Sequence, residues 1–315
     1  MSSSGLSRCC FFYKDNRLLD KRHLDKRQKD NVFVLKSEAV FNLYSVKMKT
    51  PIILSIAGSD SGGGAGIQAD IKTASAIGVY ATTAITAVTV QNTVGVRAVQ
   101  AINPAIVSGQ IEAVLDDMAV DAIKIGMLGE PEVVVAVADA IDKYQPHYVV
   151  LDPVMISTSG HSLIAERTAE LMKELLFPRA ILLTPNTDEA TALTGIKISS
   201  AEDMLEAGKA LLKMGCKAVL MKGGHLAGNE MTDILLQENQ EPKFYWSERI
   251  DTPNTHGTGC TLATAIASYL ALGNNLEKAV GLAKIYISKA IRAGADWKIG
   301  KGYSPVNHLF EKIKK

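Results

Sequence analysis

No stretch of this 315-residue chain approaches the roughly 20 consecutive apolar residues of a membrane-spanning helix, which points away from a bilayer-embedded protein. Surplus charge is missing as well: 34 Lys and Arg stand against 33 Asp and Glu, so no general attraction to nucleic acid or to an anionic membrane is expected. Cysteine is scarce. Of the four, Cys9 and Cys10 sit near the start while Cys216 and Cys260 are far apart, which excludes a disulfide framework and a CxxC metal site and fits a reducing cytoplasm. The six histidines include no pair at zinc spacing, and His256, beside a glycine cluster, is expected to face solvent or cap a helix. Two nucleotide signatures are absent too. A P-loop requires GxxxxGK[ST], yet Gly64 stands where "AGSDSGGGAGIQAD" would need its lysine. A dinucleotide fingerprint requires an acid some way on, yet no Asp or Glu occurs between Asp70 and Glu112, which argues against an oxidoreductase.

What is present divides the chain. Residues 1–50 carry 11 Lys and Arg against 5 Asp and Glu, leaving 23 against 28 in the remainder. The run "KDNRLLDKRHLDKRQKD" has no apolar core for a secretory signal, and the acids argue against a transit peptide. Residues 1–47 are therefore read as a basic, disordered extension, with Met48 as a candidate start. Residues 48–315 are read as one domain, since no repeat, Pro-rich linker or low-complexity tract divides them.

From Pro51 onward, short Val/Ile/Leu runs alternate with longer amphipathic ones. "PIILSIAG", "TTAITAVTV", "DAIKIGML", "YVVLDPV", "AILLTPN" and "KAVLMKGG" read as strands. Helices are expected at Gly66–Ile77, "AIVSGQIEAVLDDM", "EPEVVVAVADAIDKY", "SLIAERTAELMKELL" and "AEDMLEAGKALLKMG", with helical turns from Asp188 and two final helices from about Gly257 to Leu272 and Leu276 to Ala293. "MTDILLQENQEPKFYWSE" reads as a hairpin turning near Glu238 to Pro242. Strict alternation implies an α/β fold whose parallel sheet carries helices on both faces. Ligands of such sheets bind at the carboxyl ends of the strands, which selects Gly58–Gly66, Gln91, Gly126, Met127, Asp152, Asn186–Glu189 and Lys222–Gly224.

Five glycines within nine residues, Gly58 to Gly66, suggest backbone pressed close to a ligand rather than a simple turn. In "NTHGTGC", Gly257 and Gly259 flank Thr258 where a helix begins, so unpaired first-turn amides and the helix dipole favour an anion there; the alternative is an ordinary helix start capped by Thr255 or Thr258. Cys260 falls in that first turn, where a lowered thiol pKa is expected, although a small buried hydrophobe is the plainer reading. Asp152 and Glu189 at strand ends suit a hard cation such as Mg²⁺ holding phosphates, while Asn186 and Glu189 equally suit a capping box. Lys222 is a phosphate contact or a surface lysine.

In this order and spacing, "AGSDSGGGAGIQADIKT", "VQNT", "KIGML", "LDPVM", "TPNTDEA", "LMKGGH" and "NTHGTGCTLATAIA" resemble the bacterial hydroxymethylpyrimidine/phosphomethylpyrimidine kinases of thiamine biosynthesis, within the ribokinase-like superfamily, from about Pro51 to Leu309. The resemblance implies a ribokinase-like fold, a three-layer α/β/α arrangement around a mostly parallel sheet. It implies that ATP phosphorylates 4-amino-5-hydroxymethyl-2-methylpyrimidine to its monophosphate and then to the diphosphate, with Mg²⁺ as cofactor. By the same resemblance Gly58, Ala65, Gln91, Met127 and Val154 surround the pyrimidine, Gln91 bonding the aminopyrimidine edge. Asp152, Asn186 and Lys222 meet ATP phosphates, Glu189 and Asp152 the metal, and Gly257, Thr258, Gly259 and Cys260 form a catalytic anion hole. Many superfamily members carry Asp where this chain has Cys260, and Thr158 stands where several relatives have a lysine. A homodimer in the cytoplasm is expected by the same analogy. A pyridoxal kinase on the same scaffold, or a non-catalytic pyrimidine-binding regulator, are the alternatives.

Overall fold

The computed structural model describes residues 11–14, 17–20, 49–155, 165–224 and 230–310. Residues 1–49 and 50–315 form separate compact units. In the first, β1 (Phe11–Lys14) and β2 (Arg17–Asp20) pair antiparallel, Phe11 opposite Asp20.

The second unit follows the expected alternation closely. β3 (Ile52–Asp60) leads into α1 (Gly66–Ile77), then β4 (Tyr80–Asn92), β5 (Gly95–Ala101) and α2 (Pro104–Leu115). β6 (Ala122–Ile125), α3 (Pro131–Tyr144), β7 (Val149–Leu151), α4 (Glu166–Leu171, continued by a π turn Met172–Leu176) and β8 (Leu182–Leu183) come next. α5 (Thr187–Thr194), α6 (Ala201–Lys213), β9 (Ala218–Met221), the hairpin β10 (Glu230–Gln237) and β11 (Lys243–Glu248), α7 (Thr258–Ala271) and α8 (Leu276–Gly294) complete it. The part of "SLIAERTAELMKELL" before Ala165, and Thr158 with it, lies outside the described residues.

The sheet order is β11-β10-β9-β8-β7-β6-β3-β4-β5. The block from β4 to β9 is parallel, as the crossover helices require. Strict parallelism fails at both margins. β5 turns back antiparallel on β4, with Asn92 opposite Gly95, and β10 runs antiparallel to β9. The first of these returns follows "QNTVG", a two-residue connection too short for any crossover, so the strand after it can only reverse.

Strand residues alternate between two cores. Leu54, Ile56, Ile123, Ile125, Leu151, Leu183 and Val219 pack under α2 to α6, whereas Ile53, Ala122, Val150, Leu182, Ala218 and Leu220 pack under α1, α7 and α8. Two polar residues, Ser55 and Lys124, interrupt that pattern, and both are fully buried. Because the chain leaves β3 for β4 on one side and returns to β6 on the other, a crevice opens at the carboxyl ends between them.

Candidate active site

That crevice is part of one cavity of about 730 Å³ running along the strand ends. From one side to the other it meets Thr89 and Gln91 on β4, Gly58 to Asp60 on β3, Met127 after β6, Asp152 and Val154 after β7, Asn186 and Glu189 after β8, Lys222 after β9 and Asp233 on β10. Gly257 to Cys260 at the start of α7 line it as well, so every residue given a role by the resemblance reaches the same space, whereas Gly62 to Gly64, Gly126, Thr187 and Gly223, selected by strand-end position, do not line it.

The start of α7 differs from those of α2, α5, α6 and α8. Asn103, Asn186, Ser200 and Asn275 cap α2, α5, α6 and α8 with their side chains, taking up first-turn amides. α7 has no side-chain cap: its N-cap is Gly257, at φ 81. The Thr258 amide turns back to the Thr255 carbonyl at 3.2 Å, so Thr258 does not contribute its N–H to an anion hole. The amides of Gly257, Gly259 and Cys260 have no acceptor among the described residues, which leaves them to a ligand.

The two glycines serve different purposes. Gly257 combines a left-handed backbone with contact against the loop before α1, where a Cβ would overlap the Gly64 carbonyl oxygen. It is a packing glycine, not one that merely clears a path. Gly259 does clear one: a Cβ there would stand 3.4 Å from both Asp152 Oδ2 and Lys222 Nζ, in the gap between helix and strand ends.

Opposite the α7 amides, Lys222 Nζ donates to Asp152 Oδ1 at 3.0 Å and lies 3.7 Å from Glu189 Oε2. Thr184 Oγ1 donates to the same Asp152 oxygen at 2.8 Å. Burial opposes the Lys222 charge, but Asp152 and Glu189 outweigh it and raise its pKa, so the ammonium is fixed. Burial raises the Glu189 carboxyl above the usual carboxylate range, against the pull of Lys222, with Asp152 adding to the rise. The capping box is present too: Glu189 N donates to Asn186 Oδ1 and Asn186 N to Glu189 Oε2, both at 2.8 Å. Structural and ligand-facing readings of this pair therefore coexist.

Two expectations need correction. The Cys260 thiol is not lowered but pushed up to about 11, because burial outweighs the Lys124 charge and the Gly66 amide that favour thiolate; it is a thiol at neutral pH. His256 neither faces solvent nor caps a helix; it is buried, with Nε2 2.8 Å from Asp60 Oδ2. The first glycine cluster brings the backbone of Gly58, Ala65 and Gly66 to the cavity, while Asp60 accepts the amides of Gly62 at 2.7 Å, Gly64 at 3.0 Å and Ala65 at 2.9 Å. Burial raises the Asp60 carboxyl, but His256 and these amides together hold it below its ordinary value. Asp60 thus ties the two glycine-rich turns together. Sequence reading passed over it, although "GSDSGGG", an aspartate before a run of flexible donors, is the signal of an Asx-type turn.

At the β4 side, Gln91 Oε1 lies 3.1 Å from Thr89 Oγ1, and Nε2 lies 3.4 Å from His256 Nε2. The His256 nitrogen is already engaged by Asp60, so the Gln91 amide keeps donors for a ligand in the cavity.

A family model described as phosphomethylpyrimidine kinase matches residues 60–307. The chain is 48% identical over 261 residues to a hydroxymethylpyrimidine/phosphomethylpyrimidine kinase of Rhizobium meliloti, covering 82% of this chain and 97% of that protein. It is also 48% identical over 257 residues to the thiamine biosynthesis bifunctional protein ThiED of Geobacter sulfurreducens, covering 82% of this chain and 52% of that protein, so it spans about half the length of that relative. The crystal structure of an ADP complex of Bacillus subtilis pyridoxal kinase superposes with a TM-score of 0.78 at 34% identity, over 84% of this chain and all of that one.

Proposed function

The chain belongs to the phosphomethylpyrimidine kinase family, and we propose that it uses ATP to phosphorylate 4-amino-5-hydroxymethyl-2-methylpyrimidine and then its monophosphate, within residues 48–315. The observation that carries the reading is the set of open amides at Gly257, Gly259 and Cys260, facing Lys222 and Asp152 across a cavity that also holds Gln91.

In this reading the pyrimidine lies over Gly58 and Ala65, against Met127 and Val154, with Gln91 bonding its aminopyrimidine edge. ATP enters from the β9–β10 side, Asn186 and Lys222 contacting its phosphates. The α7 amides and the Lys222 ammonium then hold the charge that spreads over the migrating phosphoryl oxygens, which is the main contribution a protein makes to this chemistry. Cys260 meets the substrate as a thiol, a hydrogen-bonding neighbour of the hydroxymethyl group, not a stored negative charge.

The donor set fits Mg²⁺. Asp152 Oδ2 and Glu189 Oε1 have no protein donor among the described residues, and no group of three or more His, Cys, Asp or Glu there forms a cage. Two carboxylates sharing the ion with substrate phosphates is the usual arrangement for this cation. When bound, Mg²⁺ neutralises phosphate charge and orients the transferred group. A homodimer belongs to the same reading, and the exposed Val88 and Val90 on one face of β4 offer it apolar surface to bury.

Incubating the full chain with MgATP and the hydroxymethylpyrimidine is expected to give mono- and then diphosphorylated product by mass spectrometry. Absence of both rejects the assignment, and a higher kcat/KM for pyridoxal would replace it with the alternative vitamin substrate.

A further inference from the structure

Beneath the first turn of α7 lies an ion pair that the phosphoryl-transfer reading leaves unused. Lys124 on β6 and Asp70 on α1 meet at 2.9 Å with both side chains wholly excluded from solvent. Asp70 accepts four contacts: two from Lys124 at 2.9 and 3.1 Å, one from Ser55 Oγ on β3 at 2.5 Å and one from Thr264 Oγ1 on α7 at 2.6 Å. The carboxylate is therefore saturated. The ammonium is not, since among the described residues it donates to those two Asp70 oxygens alone.

Position says where its remaining field goes. Thr264 is one helical turn after Cys260, so both lie on the same stripe of α7, and the stripe that touches Asp70 carries Cys260 directly above it. Lys124 also ends under the strand-end turn, for a Cβ on Gly126 would approach Nζ within 2.8 Å. The charge thus sits near Cys260 in the first turn of α7, and Lys124 is not among the residues that line the cavity. Burying two ions costs several kcal/mol each before pairing, and an apolar pair of the same volume commonly serves stability as well or better. Apart from Ser55, which pairs with Lys124 and also serves Asp70, neighbouring positions on this face of the sheet such as Ala122, Val150 and Leu220 are apolar. A lysine here is thus an exception that packing does not require.

We infer that Lys124, held by Asp70, is a positioning residue for phosphoryl transfer: it fixes the α7 start against β3, β6 and α1 and supplies a solvent-shielded positive charge near the anion-binding amides. The inference rests on the kinase reading for its catalytic half, but the local potential can be measured without any turnover. Cys260 lines the cavity and reports it, because its thiolate fraction, and with it the rate of alkylation, follows the charge beneath it.

The experiment compares wild type, Lys124→Met, and Lys124→Met/Asp70→Asn, the double variant being included because the single one leaves Asp70 buried without its counter-charge. Iodoacetamide labelling at pH 9, resolved by peptide mass spectrometry, is expected to slow at Cys260 about tenfold in the single variant and a few-fold in the double one. In folded variants kcat is expected to fall about tenfold with KM for the pyrimidine changed less than about threefold. A Cys260 labelling rate within about twofold of wild type in a folded variant overturns the inference whatever happens to kcat. If wild type shows no kinase activity but the labelling changes as stated, the function assignment falls and the buried charge stands.

Discussion

Alanine at Gly259 and at Gly257 separates the two jobs that one short motif performs. At Gly259 the new methyl meets nothing closer than Asp152 Oδ2 and Lys222 Nζ, both at 3.4 Å, an ordinary van der Waals distance. Helix propensity favours alanine there by up to about 1 kcal/mol, so the fold is expected to keep its Tm within about 2 °C. The methyl nevertheless occupies the gap where phosphoryl oxygens would reach the Gly259 and Cys260 amides. Loss of an oxyanion-type contact costs about 100-fold in kcat, near 3 kcal/mol. Gly257→Ala is the contrasting case. Its φ of 81 costs an L-residue about 1–2 kcal/mol, and overlap with the Gly64 backbone adds more, so Tm is expected to fall by roughly 6 °C. Thermal melts and steady-state kinetics on both variants decide. A Gly259→Ala enzyme that melts normally and keeps kcat within threefold of wild type would refute the placing of the transferred phosphate at the start of α7.

Gln91→Leu is expected to weaken pyrimidine binding by about 10- to 100-fold, because ring polar atoms lose their partner while the methyl-sized change leaves the fold intact; isothermal calorimetry with the pyrimidine measures it. Asp60→Ala removes an acceptor for three amides and His256, and is expected to cost about 3 kcal/mol by urea denaturation, with unchanged stability refuting the tie between the two loops. His308 is buried with Nε2 3.0 Å from Thr261 Oγ1, and burial lowers its pKa to about 4. Unfolded, it titrates near 6.5, so between those values the unfolded chain binds the extra proton: the stabilising contribution is complete above pH 6.5 and is lost, by about 3 kcal/mol, as pH falls toward 4. In His308→Gln that part of the pH slope of stability is expected to disappear, and an unaltered slope would place the titration elsewhere.

Much of this protein was readable one-dimensionally, for reasons that differ from element to element. The helix Gly66–Ile77 and the hairpin after Glu230 emerge with the boundaries their apolar periods and turn residues announce. β5 was missed because "GVRAVQA" alternates weakly and its identity depends on β4 beside it. Lys124 stands inside "KIGML", but a lysine within a buried strand is intelligible only once Asp70, distant in sequence, is seen to meet it. The Cys260 thiol shows the same limit: a helix start lowers such a pKa, but burial, which no local pattern records, outweighs it here.

The sequence alone determined the alternation of strands and helices, the grouping of glycines and carboxylates at strand ends, and the family they resemble, because hydrophobic period, turn chemistry and motif order are properties of neighbours along the chain. The tertiary structure alone decided which amides stay open, which Asp60 consumes, why Gly257 and Gly259 are not interchangeable, and where the buried ammonium of Lys124 lies. Those are questions of distance and solvent exclusion between residues far apart in the chain, and electrostatic strength depends on both.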